Sequence, residues 1–130
     1  MSERYVLDAS AILCLINGEM GAARVEEALA GSVISAVNLS EIVAKLSELE
    51  TDRAKAERML ASLDLRVRSF DTNAAYAAGR LRAPTKPFGL SFADRACLAL
   101  AQVEGLPALT ADKAWQDVGE TVGVSVELIR

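Results

Sequence analysis

Four acidic residues stand where a chain could put them to chemical use: Asp8, Glu41, Asp94 and Asp112. Asp8 closes Tyr5-Val6-Leu7, a run of strand formers, and Ala9, Ser10 and an apolar segment over residues 11–16 follow at once. Glu41 falls in the first turn of the helix expected after a strand at 32–35. Asp94 falls in the first turn of a helix opening at Ser91, and Asp112 follows a strand ending at Thr110. In a parallel sheet, helices that follow strands all begin at one edge, and open α/β folds place their ligands there. Acids from separate stretches can thus converge on one cleft.

Each acid also has an ordinary explanation. Asn38-Leu39-Ser40-Glu41 and Ser91-Phe92-Ala93-Asp94 have the spacing of a helix capping box or a near relative. Acids suit any first helical turn, Glu41 can pair with Lys45 one turn on, and Asp112 can cap a helix. Asp8 and Asp94 resist that account. Asp94 shares a helical face with Cys97, Leu98 and Ala101, and Asp8 ends an apolar strand before an apolar helix. A carboxylate on such a face is costly unless a cation or hydrogen-bond donors compensate it. Like charges about 4 Å apart repel by about 4 kcal/mol at an intermediate effective dielectric. Four gathered carboxylates therefore need something cationic among them. An all-oxygen ligand set suits a hard divalent ion, Mg2+ or Mn2+ best. Such a centre would activate water and stabilise charge in an in-line attack on a phosphodiester.

The composition narrows the chemistry. The chain has no histidine, which excludes Ser-His-Asp triads, histidine acid–base catalysis and histidine-containing zinc sites. Its net charge is −4, so its whole surface would not grip a nucleic acid. A metal among the acids would reconcile that charge with a polyanionic substrate. Cys14 and Cys97 lie far apart, each within an apolar helical pattern, and read as buried, inert thiols suited to a reducing compartment. The apolar stretch over 9–16 is too short to span a membrane, and no signal peptide is visible. A cytoplasmic protein with no membrane association is expected.

The elements that must position the acids alternate. Strands are expected at 4–8, 32–35, 65–70, 106–110 and 124–129. Helices are expected at 10–17, 22–30, from about 36 with a stripe of Leu39, Ile42, Val43, Leu46 and Leu49, at 51–63, 71–81, 91–104 and 112–118. Residues 80–89, with Pro84, Pro87 and Gly89, read as a loop. Alternating strands and helices indicate βαβ units and a mostly parallel sheet. The length fits one domain over residues 1–130, an α/β three-layer arrangement of four or five short strands flanked by helices.

With these pieces in place, the sequence resembles a PIN domain, and specifically the toxin ribonuclease of VapBC-type toxin–antitoxin modules. The resemblance rests on Val6-Leu7-Asp8-Ala9-Ser10, on Ser35 to Glu41, on Leu90 to Cys97 and on Leu109 to Trp115, in that order and at these spacings. It implies a PIN-like fold in which Asp8, Glu41, Asp94 and Asp112 are the acidic quartet. Asp8 and Asp94 would be the main metal ligands, while Glu41 and Asp112 would complete the shell through water or orient the attacking hydroxide. Ser10 and Thr110 match small hydroxyl positions lining the site. The resemblance further implies an Mg2+- or Mn2+-dependent endoribonuclease leaving a 5′-phosphate and a 3′-hydroxyl, a homodimer, and a small antitoxin occupying the active-site groove.

Candidate RNA contacts are Arg80, Arg82 and Lys86, around the loop that leads to Asp94, and Arg95 and Lys113, which directly follow two of the acids. Asp117 reads as a solvated helix residue rather than an extra acid of the site, and Trp115 as a core anchor rather than a base-stacking platform. Two other readings are open. One is a PIN-like module that binds a partner without catalysis, its acids serving as caps. The other is a phospho-aspartyl phosphatase or receiver-like domain built on Asp8. That last reading lacks a second aspartate two residues on, where Ser10 stands, and lacks an aspartate at the end of the third strand, where Ser69-Phe70 stands.

Overall fold

The computed structural model describes residues 3–130. Five short strands form one sheet: β1 (Val6–Leu7), β2 (Val33–Ser35), β3 (Arg66–Arg68), β4 (Ala108–Thr110) and β5 (Val126–Leu128). Their order is β3-β2-β1-β4-β5, and every pairing is parallel. Around them run α1 (Ala9–Asn17), α2 (Ala22–Ala28), α3 (Ala36–Ser47), α4 (Arg53–Ser62), α5 (Thr72–Arg80), α6 (Arg82–Thr85), α7 (Phe92–Glu104) and α8 (Trp115–Val122). The three-layer α/β arrangement expected from the sequence is present.

The sheet separates two cores because successive strand residues point to opposite faces. Tyr5, Leu7, Ile34 and Leu109 face one way and pack with Ile12 of α1 and with Ile42 and Leu46 of α3. Val6, Val33 and Ala108 face the other way, against Leu98 of α7 and Trp115 and Val118 of α8. Both faces are covered, which is why the inner strands read as unbroken apolar runs. Trp115 is fully buried, the core anchor its position suggested. Cys14 and Cys97 are buried free thiols.

The register aligns the strand ends. Val6 pairs with Val33 and with Ala108, so two residues on, Asp8 comes level with Ser35 on one side and Thr110 on the other. Ser35 in turn pairs with Arg68, and Thr110 with Leu128. The loops and helix starts at this edge hold the site.

Four local expectations change. The helix after β2 begins at Ala36, because the Ser35 hydroxyl accepts the Val37 amide at 3.1 Å and caps it. Glu41 consequently lies in the second turn, not the first, and no Asn38–Glu41 capping box forms. The buried face of α3 is Asn38, Ile42 and Leu46, which leaves Val43 and Leu49 at the surface. The expected loop at 80–89 instead contains α6 and a 3-10 turn at Lys86–Phe88. Pro84 fits because it sits in the first turn of α6, where an amide hydrogen is not needed. The last helix runs over Trp115–Val122 rather than 112–118: residues 112–114 form a turn, and Gly123, at φ 69°, ends the helix. Gly119 lets that helix lie against β5, since a Cβ there would stand 2.7 Å from the Val124 carbonyl oxygen. Among the described residues no helix is long and apolar enough to cross a membrane.

Candidate active site

Asp8 is the buried centre of the strand edge. It is 5% exposed and stands at the N-cap position of α1. Two hydroxyls donate to the same oxygen, Oδ2: Ser10 Oγ at 2.6 Å and Thr110 Oγ1 at 2.8 Å. Each hydroxyl has one hydrogen, and both are committed to Asp8, so the 3.2 Å between Ser10 Oγ and Thr110 Oγ1 is a contact between lone-pair faces. The hydroxyls are themselves aimed by backbone. The Ala111 amide donates to Ser10 Oγ and the Asp112 amide to Thr110 Oγ1, each at 3.0 Å. Four groups from two chain segments thus fix one carboxylate oxygen.

Asp94 enters from the N-terminus of α7. Its Oδ2 accepts the Ser91 amide at 3.0 Å, and Ser91 Oγ accepts the Asp94 amide at 3.1 Å, a complete capping box. The capping role therefore holds for Asp94, and the same residue is also a neighbour of Asp8. Glu41 comes from α3 and is half-buried. Burial raises the Asp8 carboxyl above its ordinary range, the Ser10 and Thr110 hydroxyls oppose that, and the Asp94 charge adds to it. Glu41 is also raised, first by burial and then by the charges of Asp8 and Asp94, with Lys45 opposing. Below them lies Cys97, whose thiol is pushed well up by burial and then by Asp8, Asp94 and Glu41. Asp8 thus feels the charge of Asp94, and Glu41 that of both Asp8 and Asp94.

Among the described residues no ion pair neutralises this group, and Lys45 offsets the charge at Glu41 only in part. The ion pairs among the described residues are Arg24–Glu127, Arg68–Glu104 and Arg130–Glu19, and none includes Asp8, Glu41 or Asp94. A partly desolvated set of carboxylate oxygens with no ion-pair partner among the described residues is the donor chemistry that a hard divalent cation takes. Among the described residues no three His, Cys, Asp or Glu side chains stand close enough to enclose an ion by themselves. The acids fit an ion that keeps part of its water shell, as Mg2+ does.

Asp112 is set apart. It is exposed, and its Oδ1 accepts the Ala114 amide at 3.0 Å, so its carboxylate caps its own turn. Its backbone amide nevertheless ends the hydroxyl chain to Asp8. Asp117 is exposed in the first turn of α8. Of the basic candidates, Arg80 lies over the Tyr76 ring at 5.4 Å, and Arg82, Lys86 and Lys113 are exposed. No hydrogen bond or ion pair among the described residues joins any of them to the acids. Arg95 is nearer, one residue past Asp94 and half-buried.

One residue of the site escaped the sequence. Asn38 is fully buried, and its Nδ2 donates to the Ala93 carbonyl at 3.1 Å, which ties α3 to the first turn of α7. Its Oδ1 is buried without a partner. The available signal was a polar residue on the apolar face shared with Ile42, three residues before Glu41.

Comparison with known proteins decides the family. The PIN domain model matches residues 5–121. This chain belongs to the PIN domain family. No curated protein matches it. Among solved structures, a chain of the Salmonella typhimurium VapBC bound to DNA superposes with a TM-score of 0.76 at 20% identity, covering 100% of both chains. A chain of the Rickettsia felis VapBC2, bound to a promoter DNA fragment, gives 0.76 at 18% identity over 96% of this chain and 98% of its own. One from VapBC-5 of Mycobacterium tuberculosis, a toxin–antitoxin system, gives 0.69 at 25% identity over 98% of each. The PIN domain fold of this chain is the fold found in those complexes.

Proposed function

We propose that this PIN domain is a divalent-metal-dependent endoribonuclease and the toxin of a toxin–antitoxin pair. The observation that carries the reading is the buried Asp8 carboxylate at the strand edge, held by the Ser10 and Thr110 hydroxyls, with Asp94 and Glu41 as its acidic neighbours and no ion pair among the described residues to any of the three. Asp8 and Asp94 are the proposed direct ligands of Mg2+ or Mn2+. A bound ion would supply a hydroxide at neutral pH and neutralise charge on the phosphate under attack. Glu41 accepts a hydrogen bond from the attacking water and so orients it. Asp112 is the outer acid, reached by turning its side chain from the Ala114 amide. Ser10 and Thr110 keep the Asp8 carboxylate in one orientation, which matters because misplacement by about 1 Å can cost about a hundredfold in rate.

Attack by water on phosphorus with the 3′-oxygen leaving breaks the O3′–P bond and gives a 5′-phosphate and, once that oxygen takes a proton, a 3′-hydroxyl. It uses neither a 2′-hydroxyl nor a histidine, in keeping with a chain that has no histidine. Arg80, Arg82, Lys86, Arg95 and Lys113 are the proposed phosphate contacts. Two of the structures that share this fold are of toxin–antitoxin systems, which supports a cognate antitoxin here; the proposed toxin is a homodimer that acts in the cytoplasm. The test is RNA cleavage by the purified chain with and without Mg2+, with product-end analysis and an Asp8→Asn control. Metal-dependent cutting that leaves 5′-phosphates and is abolished in the control is expected. Products ending in a 2′,3′-cyclic phosphate, or metal binding with no cutting of any RNA, would refute the reading, the latter in favour of a binding module.

A further inference from the structure

Phe92 opens α7 two residues before Asp94, and it remains 50% exposed. Nothing in the capping of that helix calls for an aromatic ring, since Ser91 and Asp94 complete the box on their own. The ring is nevertheless held in place. Phe70, on the connection after β3, meets it edge-to-face at 5.4 Å and 90°. The guanidinium of Arg95 lies over it at 5.9 Å. Arg95 is otherwise little engaged: it makes one long hydrogen bond, 3.4 Å to the Ala78 carbonyl, and its buried Nε has no partner. Among the described residues no carboxylate pairs with it.

A fixed, half-exposed aromatic ring beside an unpaired guanidinium, in the turn that carries Asp94, matches one nucleotide. Unstacked bases bind on aromatic faces, and guanidinium groups take phosphates or stack in turn. Phe92 and Phe70 are two side chains, against about 20–30 residues a side in a specific protein interface. We propose that Phe92 is the stacking platform for one unpaired base of single-stranded RNA flanking the phosphate that is cut, with Phe70 setting the ring and Arg95 holding the adjoining phosphate. This rests on the nuclease reading above and names a positioning site within it.

The test uses the full chain in an Asp8→Asn background, where RNA can bind without being cut. A short unstructured RNA is titrated against that protein and against versions that also carry Phe92→Ala or Phe92→Trp. Truncation should weaken binding by about five- to a hundredfold, the usual range for one lost base stack. Phe92→Trp should retain binding, with its indole fluorescence quenched by the RNA. With Asp8 restored, Phe92→Ala should raise KM for single-stranded RNA more than it lowers kcat. A melting curve checks that both variants fold. Unchanged RNA affinity in the folded Phe92→Ala protein overturns the platform, as does a change confined to oligomeric state or antitoxin binding. If the unsubstituted chain cuts RNA while Phe92→Ala matches it, the platform alone fails. If the chain never cuts RNA but Phe92→Ala still weakens binding, the nuclease reading fails and overturns the placement beside a cut phosphate, while the base-stacking role of Phe92 stands.

Discussion

Replacing Asp8 with Asn should make the metal-free protein harder to melt. Folding buries this carboxylate and sets it beside Asp94 and Glu41, and both Asp8 and Glu41 are raised above their ordinary values of 3.8 and 4.5. A group raised on folding gives stability that is present below its unfolded pKa and is lost as pH climbs through the folded one. The metal-free protein should therefore lose stability from about pH 4 upward, through the range in which these two acids ionise. Two carboxylates about 6 Å apart at an effective dielectric near 20 repel by about 3 kcal/mol. Against that relief, Asn still accepts the Ser10 and Thr110 hydroxyls but without charge, at about 1 kcal/mol for each bond. The net gain is about 1 kcal/mol, or about 4 °C in Tm for a domain of this size. Thermal melts in EDTA at pH 7.5 measure it. Saturating Mn2+ should then stabilise the unsubstituted chain by about 2.7 kcal/mol at a hundred times Kd, raising its Tm, and leave Asp8→Asn unmoved. A lower Tm for Asp8→Asn in EDTA would refute the reasoning, because the charge would then be stabilising the fold as a cap does.

Other substitutions separate positioning from packing. Ser91→Ala removes the cap of α7 and should cost about 1 kcal/mol, seen in denaturant melts, while also lowering cleavage because the turn bearing Asp94 frays. Thr110→Val keeps the shape but deletes one donor to Asp8 and the acceptor for the Asp112 amide; cleavage should fall about tenfold at saturating RNA with the fold retained. Asn38→Ala breaks the link to Ala93 and should cost about 1–3 kcal/mol, with kcat falling more than KM rises. Gly119→Ala drives a methyl into the Val124 carbonyl and should cost about 1–3 kcal/mol without touching metal affinity, as urea melts and Mn2+ titrations can show together.

Much of this arrangement is legible in the amino-acid sequence. The sheet follows from apolar runs alternating with helical stripes, and the neighbourhood of Asp8, Glu41 and Asp94 from acids placed at strand ends and helix starts. The features that are not legible are decided by single local contacts. Ser35 captures the cap of α3 from Asn38 because its hydroxyl reaches the Val37 amide, and that moves Glu41 by a turn. Asp112 keeps its expected chain position, yet its side chain turns to the Ala114 amide, a choice between two partners that spacing does not encode. Pro84 and Pro87 suggest a loop, but a first-turn proline is compatible with a helix. The exposure of Phe92 depends on where Phe70 comes to rest, on an element 22 positions earlier in the chain. Asn38 carries a signal of its own, since a buried amide on an apolar stripe must find a partner.

The most direct test of the central claim is Mn2+ binding, followed by electron paramagnetic resonance as the free ion's signal is lost. The unsubstituted chain should bind the ion, Asp8→Asn and Asp94→Asn should lose most of that binding, and Asp117→Asn, on the exposed first turn of α8, should keep it. Equal binding by all four proteins would contradict the account and leave Asp8 and Asp94 as structural carboxylates.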